Sequence, residues 1–375
     1  MGTATELTEP SPRSLGWHMP AEWEPHAATW LAFPHKRGDW PGKADSIIWV
    51  YAEIVKQLTR GERVRILVRD AREAQRAQYV FGRVGADLAK VDCIRCDTNR
   101  SWTRDFLPTF VVREPQKPRI KLRSVGAVKW RFDGWNRYPD HQLDDQAGEY
   151  VAEHFAEQVF YPRTISRGRS TRVTLEGGSI DIDGEGTLLT TEACLLTGRR
   201  ARHKTLGQAE SERLLGEYLG IERVIWLPDG IAGDDTSGHI DDFTRFVRPG
   251  WVVLCEEKRR GDPNHRILAI AKERLKAARD AKGRRLQIVS LPMPEPVTDR
   301  GVRLPASYAN FYIGSECLLV PTFNDAKDRQ ALGILAELFP ERRVVGIHAL
   351  ELLLGLGTLH CSTQQEPRRG PALRR

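Results

Sequence analysis

The chain has 375 residues, with 57 Lys+Arg against 50 Asp+Glu, 40% hydrophobic residues and 8% aromatics. This composition excludes a mainly disordered, collagenous or coiled-coil chain, and no apolar run approaches the ~20 residues that a membrane helix needs. The net charge of +7 is dispersed, with local basic runs only at 258–260, 282–285 and 368–375, and no nucleic-acid-binding signature accompanies them.

The N-terminus lacks a charged start followed by an apolar stretch, and Glu6 stands where a myristoylation motif needs Ser or Thr. Residues 1–15 are expected to be a disordered tail, residues 368–375 a basic tail, and the location cytoplasmic. Six widely spaced cysteines (Cys93, Cys96, Cys194, Cys255, Cys317 and Cys361) do not form a disulfide scaffold and read as free thiols.

In chain order, hydrophobic periodicity predicts a strand over 28–33, a helix over 44–60, a strand over 63–68, a helix over 71–84 and a β-like run over 91–96. A strand over 109–112 and a helix over 144–158 follow. Strands over 172–182 and 187–191 then precede a helix over 207–219 and a strand over 223–227. Strands over 243–247 and 251–255, a helix over 265–281 and a strand over 286–290 come next. The last group is strands over 311–313 and 317–321, a helix over 327–338 and a strand over 343–347. This rhythm predicts an α/β protein in which a strand–strand–helix–strand unit recurs about five times. Polar, turn-rich joints at 34–43, 114–121, 165–171, 230–238 and 291–304 are the places where chemistry tends to sit.

Four segments place ionisable groups beside glycine or other turn residues: 102–105 (WTRD), 176–178 (EGG), 234–242 (DDTSGHIDD) and 355–365 (GLGTLHCSTQQ). A cysteine nucleophile needs a base or cationic neighbour to reach the thiolate, and Cys361 with His239 can fill those roles. A strand-like stretch over 238–241 would put His239 and Asp241 on one face. Asp105 can add a second carboxylate, and two carboxylates match the donor fork of a guanidinium. Taken singly, Cys361 reads more often as a buried thiol than as a nucleophile, and the Glu176 segment can be a plain turn and Trp102 core. Cys93 and Cys96 have CxxC spacing but lie in a β-like run. Asp234, Asp235, Asp325 and Asp328 lack a histidine-rich partner set, so no metal is expected.

The segments MPAEWEPHAATWLAFPH (19–35), SWTRDFLPTFVV (101–112), LEGGSIDIDGEGTLLTTEACLL (175–196), DDTSGHIDDFTRFVRPG (234–250), LPASYANFYI (304–313), LLVPTFNDAKD (318–328) and GLGTLHCSTQQEP (355–367) resemble, in order, the motifs of agmatine deiminases and the related bacterial, Porphyromonas-type peptidylarginine deiminases. The resemblance implies the five-bladed pseudo-symmetric α/β propeller of the guanidine-modifying (pentein) superfamily, as one catalytic domain over 16–367. It implies Cys361 as the nucleophile that forms an amidino-thioether and His239 as general acid and base. Asp105 and Asp241 would grip the guanidinium, Glu176 would orient His239, Trp102 would line the substrate channel, and Asp235 would bind substrate at an acidic mouth.

No cofactor and no metal are implied, nor any nucleic-acid or membrane partner; the partner is a small cationic guanidino substrate, and a homodimer is common in the family. A guanidinium stays protonated, so carboxylates rather than an oxyanion hole should stabilise its reaction. The sequence departs from the family at Leu107, where glycine is usual, and at 355–357, which is less glycine-rich. The expected activity is hydrolysis of agmatine to N-carbamoylputrescine and ammonia. The alternative is a free- or peptidyl-arginine deiminase, with Arg104 or Arg245 receiving the substrate carboxylate, although both residues read equally as structural ion-pair partners. A metal-dependent ureohydrolase would need clustered Asp/His ligands, and a silent guanidine binder would have no need of Cys361, His239, Asp105 and Asp241 together.

Overall fold

The computed structural model describes residues 10–115, 122–166 and 168–370. These residues form a mixed α/β fold with five sheets of three or four strands and two two-stranded hairpins. Three sheets share one plan: a short strand, an antiparallel partner, then a crossover helix leading to a parallel strand. They are Asp181–Ile182, Thr187–Thr191 and Arg223–Leu227; Thr244–Arg248, Trp251–Glu256 and Gln287–Pro292; and Tyr312–Ile313, Cys317–Thr322 and Arg343–His348. The other two follow the same plan with one strand added. Gln364–Pro367 pairs antiparallel with His26–Ala32, which continues in parallel to Arg63–Val68 and Val91–Arg95. Trp17–His18, Thr109–Arg113 and Ser124–Val128 run antiparallel before the parallel Val159–Phe160.

The sequence explains why these elements form. Thr187–Thr191 and Cys317–Thr322 are short apolar or β-branched runs buried almost throughout, as strands covered by helices on a parallel sheet are. In the crossover helix Ala44–Leu58, Ile47, Ile48, Tyr51, Ala52, Ile54, Val55 and Leu58 recur at helical spacing and are buried, while Trp49 faces outward. Asp70 caps the helix Ala71–Arg83 by accepting from the Glu73 N–H, and Asp262 caps Pro263–Ala277, whose first position is a proline.

Three expectations are corrected. The run 172–182 is not one strand: it ends a hairpin at Arg172, passes through a 3-10 turn at Gly177–Ser179 and regains strand geometry only at Asp181–Ile182. The two glycines and Ser179, whose hydroxyl donates to the Glu176 carbonyl at 2.6 Å, favour the turn over the β-branched run around them. The stretch 238–241 is not a strand either, because Ile240–Asp242 is a 3-10 turn that follows His239. Finally, residues 10–15 of the expected N-terminal tail are placed: Arg13–Leu15 form a 3-10 turn closed by Gly16 in the left-handed region, and Arg13 Nη1 donates to the Ile221 carbonyl. Residues 1–9 of that tail lie outside the described residues, as do 371–375 of the basic C-terminal tail. Arg368, at the start of that tail, is held by a bond from its N–H to the Pro25 carbonyl at 2.9 Å. No helix among the described residues is long and apolar enough to cross a membrane.

Candidate active site

The first strand of each of the five large sheets is preceded, two to five residues earlier, by a polar residue: Cys361, Asp105, Glu176, Asp241 and Asn310. For the sheet that begins with Trp17–His18, the strand meant is Thr109–Arg113. The fold brings these residues together with His239. All are buried, at 7% exposure or less. Asp105 Oδ1 lies 3.8 Å from His239 Nδ1, and Glu176 Oε2 lies 3.7 Å from His239 Nε2. Cys361 Sγ is 3.7 Å from Asp241 Oδ2 and accepts from Asn310 Nδ2 at 3.2 Å. Gly178 sits at the junction: a Cβ there would meet His239, Asp105 and Asp241 within 3.1 Å.

Two donors orient Asp105. Trp135 Nε1 donates to Oδ2 at 2.8 Å and the Gly178 N–H to Oδ1 at 3.1 Å. Trp135 and Asn136 both adopt left-handed backbone, with φ of 58° and 52°, directly after Gly134 at 71°. Such runs of non-glycine residues persist where the surroundings enforce them, and here the result is an indole N–H aimed at a carboxylate. Glu176 is held by Arg202, whose Nε donates to both carboxylate oxygens at 2.9 and 3.1 Å in a fully buried pair. Among the described residues, Asp241 Oδ1 and both ring nitrogens of His239 are buried without a hydrogen-bond partner, so they are the groups that a ligand would satisfy.

The electrostatics follow from this crowding. Burial, reinforced by Asp241, Asp242 and Asp105, pushes the Cys361 thiol well above its usual range, against the hydrogen bond from Asn310. Burial opposes charge on His239, yet Asp105, Cys194 and Glu176 outweigh it and push its titration well up. Asp105 is pushed up to about 6 by burial, an effect that His239 opposes and Asp241 and Glu176 assist. Burial also disfavours the Glu176 carboxylate, but Arg202 and His239 hold it down at about 2. For Asp241, the hydrogen bond and charge of His360 overcome burial and lower it. The resting arrangement is therefore a neutral thiol beside a charged imidazole.

A cavity of about 290 Å³ opens on this group, lined by Cys361, Asp105, Trp102, Trp135, Tyr138, Asp39, Asp235 and the 354–357 loop, among others. Gly355 and Gly357 press on Trp102, since a Cβ at either would lie 2.7 or 2.9 Å from its ring. Leu356 between them has φ 67° and lines the cavity, while Leu107 is buried in the core. Asp235 accepts from Tyr138 Oη at 2.7 Å and pairs with Arg137 at 3.5 Å. Arg104 and Arg245 are not at the mouth: both guanidinium groups are buried against Glu22, at 3.3 and 3.0 Å.

Metal-type donors also cluster within 4.8 Å of one another at Glu176, Cys194 and His239, and at Asp241, Asp242 and Cys361. The first group already carries the Arg202 guanidinium and the second the His360 ring, and positively charged or N–H-donating partners disfavour an added cation. Asp325 and Asp328 serve backbone turns: Asp325 accepts from the Lys327 N–H and Asp328 from Phe323 and Tyr308. All six cysteines are free thiols.

Every site residue expected from the sequence is in this cluster or lines its cavity. Arg202 and Trp135 lie outside the sequence motifs, while Gly178, Cys194 and Asn310 lie inside them with no role that the sequence assigns. Asn310 falls in the motif 304–313, but a neutral amide among apolar residues carries no chemical signal in a sequence.

The sequence pattern of the Porphyromonas-type peptidyl-arginine deiminase family matches residues 18–367. A relative named agmatine deiminase from Pseudomonas aeruginosa (strain LESB58) is 37% identical over 380 residues, covering 95% of this chain and 97% of its own. One from Ectopseudomonas mendocina (strain ymp) is 36% identical, covering 97% of this chain and 98% of its own. Among solved structures, the agmatine deiminase of Enterococcus faecalis superposes with a TM-score of 0.85 at 28% identity, over 98% of this chain and all of that one.

Proposed function

The chain belongs to the Porphyromonas-type peptidyl-arginine deiminase family, and we propose that it hydrolyses agmatine to N-carbamoylputrescine and ammonia. Five sheets repeating one antiparallel-then-parallel plan support arranging them as the five blades of a propeller, in one catalytic domain over 16–367. Each blade then delivers its polar residue to the shared centre.

In the mechanism, the guanidinium enters between Asp105 and Asp241, whose free Oδ1 receives it. Its charge offsets the carboxylates that hold Cys361 as a thiol, so the thiol proton leaves to solvent as the cation binds. The thiolate attacks the guanidinium carbon. His239 gives its proton to the departing amino group, which leaves as ammonia, and an amidino-thioether remains on Cys361. The now neutral His239 takes a proton from water as the resulting hydroxide adds to the same carbon; the carbon–sulfur bond then breaks, and the hydroxyl proton passes to the departing sulfur, which leaves the ureido product and restores the thiol. Glu176, held ionised by Arg202, stabilises the charged form of His239 through both steps. No step requires a cofactor.

The observation that carries the substrate assignment is the state of the cations around the cavity. Lys36 is paired with Asp140, and Arg100 with Asp140 at 3.0 Å and Asp39 at 3.6 Å; Arg104 and Arg245 are buried with Glu22. The α-carboxylate of arginine would find each of these charges already engaged and would face the Asp39 and Asp235 carboxylates, whereas the ammonium tail of agmatine can share those carboxylates with Arg100 and Arg137. Ammonia and urea release from agmatine, arginine and a peptidyl-arginine substrate, measured in parallel with EDTA present, tests this. Ammonia from agmatine without urea is expected; ammonia from arginine or the peptide alone would keep the chemistry and overturn the substrate.

A further inference from the structure

His360, the residue before Cys361, joins the site to a buried charge cluster. Its ring, 1% exposed, places Nδ1 2.7 Å from Asp241 Oδ2 and Nε2 2.8 Å from Glu22 Oε2. Glu22 also receives Arg104 and Arg245 and accepts from the Ile313 N–H at 2.9 Å. Burial opposes charge on Glu22, but Arg245, His360 and Arg104 hold it well below the usual carboxylate range. Two guanidinium groups and a backbone N–H directed at Glu22 match an ionised carboxylate, which only accepts, and Asp241 presents Oδ2 to the other ring nitrogen at 2.7 Å. A neutral imidazole has one N–H and would turn a lone pair toward one of these oxygens at hydrogen-bond distance.

We infer that His360 is a positioning residue carrying two ring protons, which pins Asp241 by Oδ2 and leaves Oδ1 as the oxygen presented to the guanidinium. The inference rests on the proposed reading of Asp241 as a guanidinium ligand. The surrounding backbone supports it: the His360 N–H donates to Asn310 Oδ1 at 3.0 Å, and the Arg104 N–H to the Cys361 carbonyl at 3.1 Å. Arg104, Arg245 and His360 stand next to, or four residues from, Asp105, Asp241 and Cys361 in sequence. One glutamate, Glu22, therefore ties three of the site's segments together, and the His360 ring is the tie that reaches a substrate-facing carboxylate.

The test has two arms on the full chain. In ligand-free protein labelled with 15N-histidine, with His360 assigned through its own Cβ, two protonated ring nitrogens are expected; a single one overturns the inference. In the second arm, His360→Gln is expected to lower kcat/KM for agmatine about 100-fold, with KM raised about tenfold or more, because a misdirected carboxylate loosens substrate binding. A variant with unchanged KM, and kcat reduced only in proportion to its folded fraction by circular dichroism, also overturns it. If His360→Gln does not fold, the ring-proton count in the native protein decides alone. Two ring protons in a protein that does not act on agmatine would retain the pinning of Asp241 and refute the substrate instead.

Discussion

A single methyl group at Gly178 probes the centre of the site. The residue lies in the Gly177–Ser179 turn without a left-handed φ, so alanine fits the backbone and only space is at issue. Its Cβ would lie 2.6 Å from His239 Nδ1, 2.9 Å from Asp105 Oδ1 and 3.1 Å from Asp241 Oδ2, all closer than the 3.4 Å at which ordinary contact begins. Each of these buried groups must retreat by several tenths of an ångström, and they are the groups proposed to hold and protonate the substrate. A displacement approaching ~1 Å at a reacting centre costs about 100-fold in rate, or roughly 2.7 kcal/mol of transition-state stabilisation. The overpacking itself should destabilise the fold by about 1–3 kcal/mol. Steady-state kinetics on agmatine, run beside denaturant unfolding, separates the two effects. Gly333→Ala is the control: it lies in the helix Asp328–Leu338 with nothing within 4 Å of its Cβ, so kcat/KM should not change and stability should rise by about 0.5–1 kcal/mol. A Gly178→Ala enzyme with the kcat/KM of the native chain would refute the placement of substrate among these three side chains.

Asp105 must be ionised to grip a cation and is pushed up to about 6, so kcat/KM, which reports the free enzyme, should climb as pH rises through about 6. A profile flat across that range contradicts the role. Glu176 is held at about 2 against an ordinary 4.5. A depressed carboxylate adds stability above its unfolded value and loses it as pH falls through the folded one, and this shift corresponds to about 3 kcal/mol. Glu176→Gln should therefore cost about 3 kcal/mol at pH 7 by denaturant unfolding, with the difference closing as the pH falls from about 4.5 toward 2. A pH-independent difference would contradict that origin.

The part of the site that was legible in the sequence consists of ionisable residues beside turns. Asp105, Glu176, His239, Asp241 and Cys361 each stand next to glycine or other turn residues, and chemistry placed on loops leaves that trace. The supporting shell left none. Arg202 reaches Glu176 across 26 residues, Glu22 reaches His360 across 338, and Trp135 reaches Asp105 from a left-handed turn. Such pairings exist only in three dimensions. Arg104 and Arg245 had two open readings, substrate contact or structural ion pair, and the burial of both against Glu22 selects the second. Strand periodicity misreads 172–182 because a β-branched run hides a two-glycine turn, and it misreads 238–241, where Gly238 at φ 107° and His239 lead into the 3-10 turn Ile240–Asp242.

The most direct test of covalent guanidine hydrolysis at Cys361 is mass analysis of its peptide from enzyme quenched during agmatine turnover. An amidino adduct on Cys361 is expected, together with a loss of turnover by at least about 10⁴-fold in Cys361→Ala while its fold is kept. An unmodified peptide with urea as product, or a Cys361→Ala enzyme that still releases ammonia, would contradict the account.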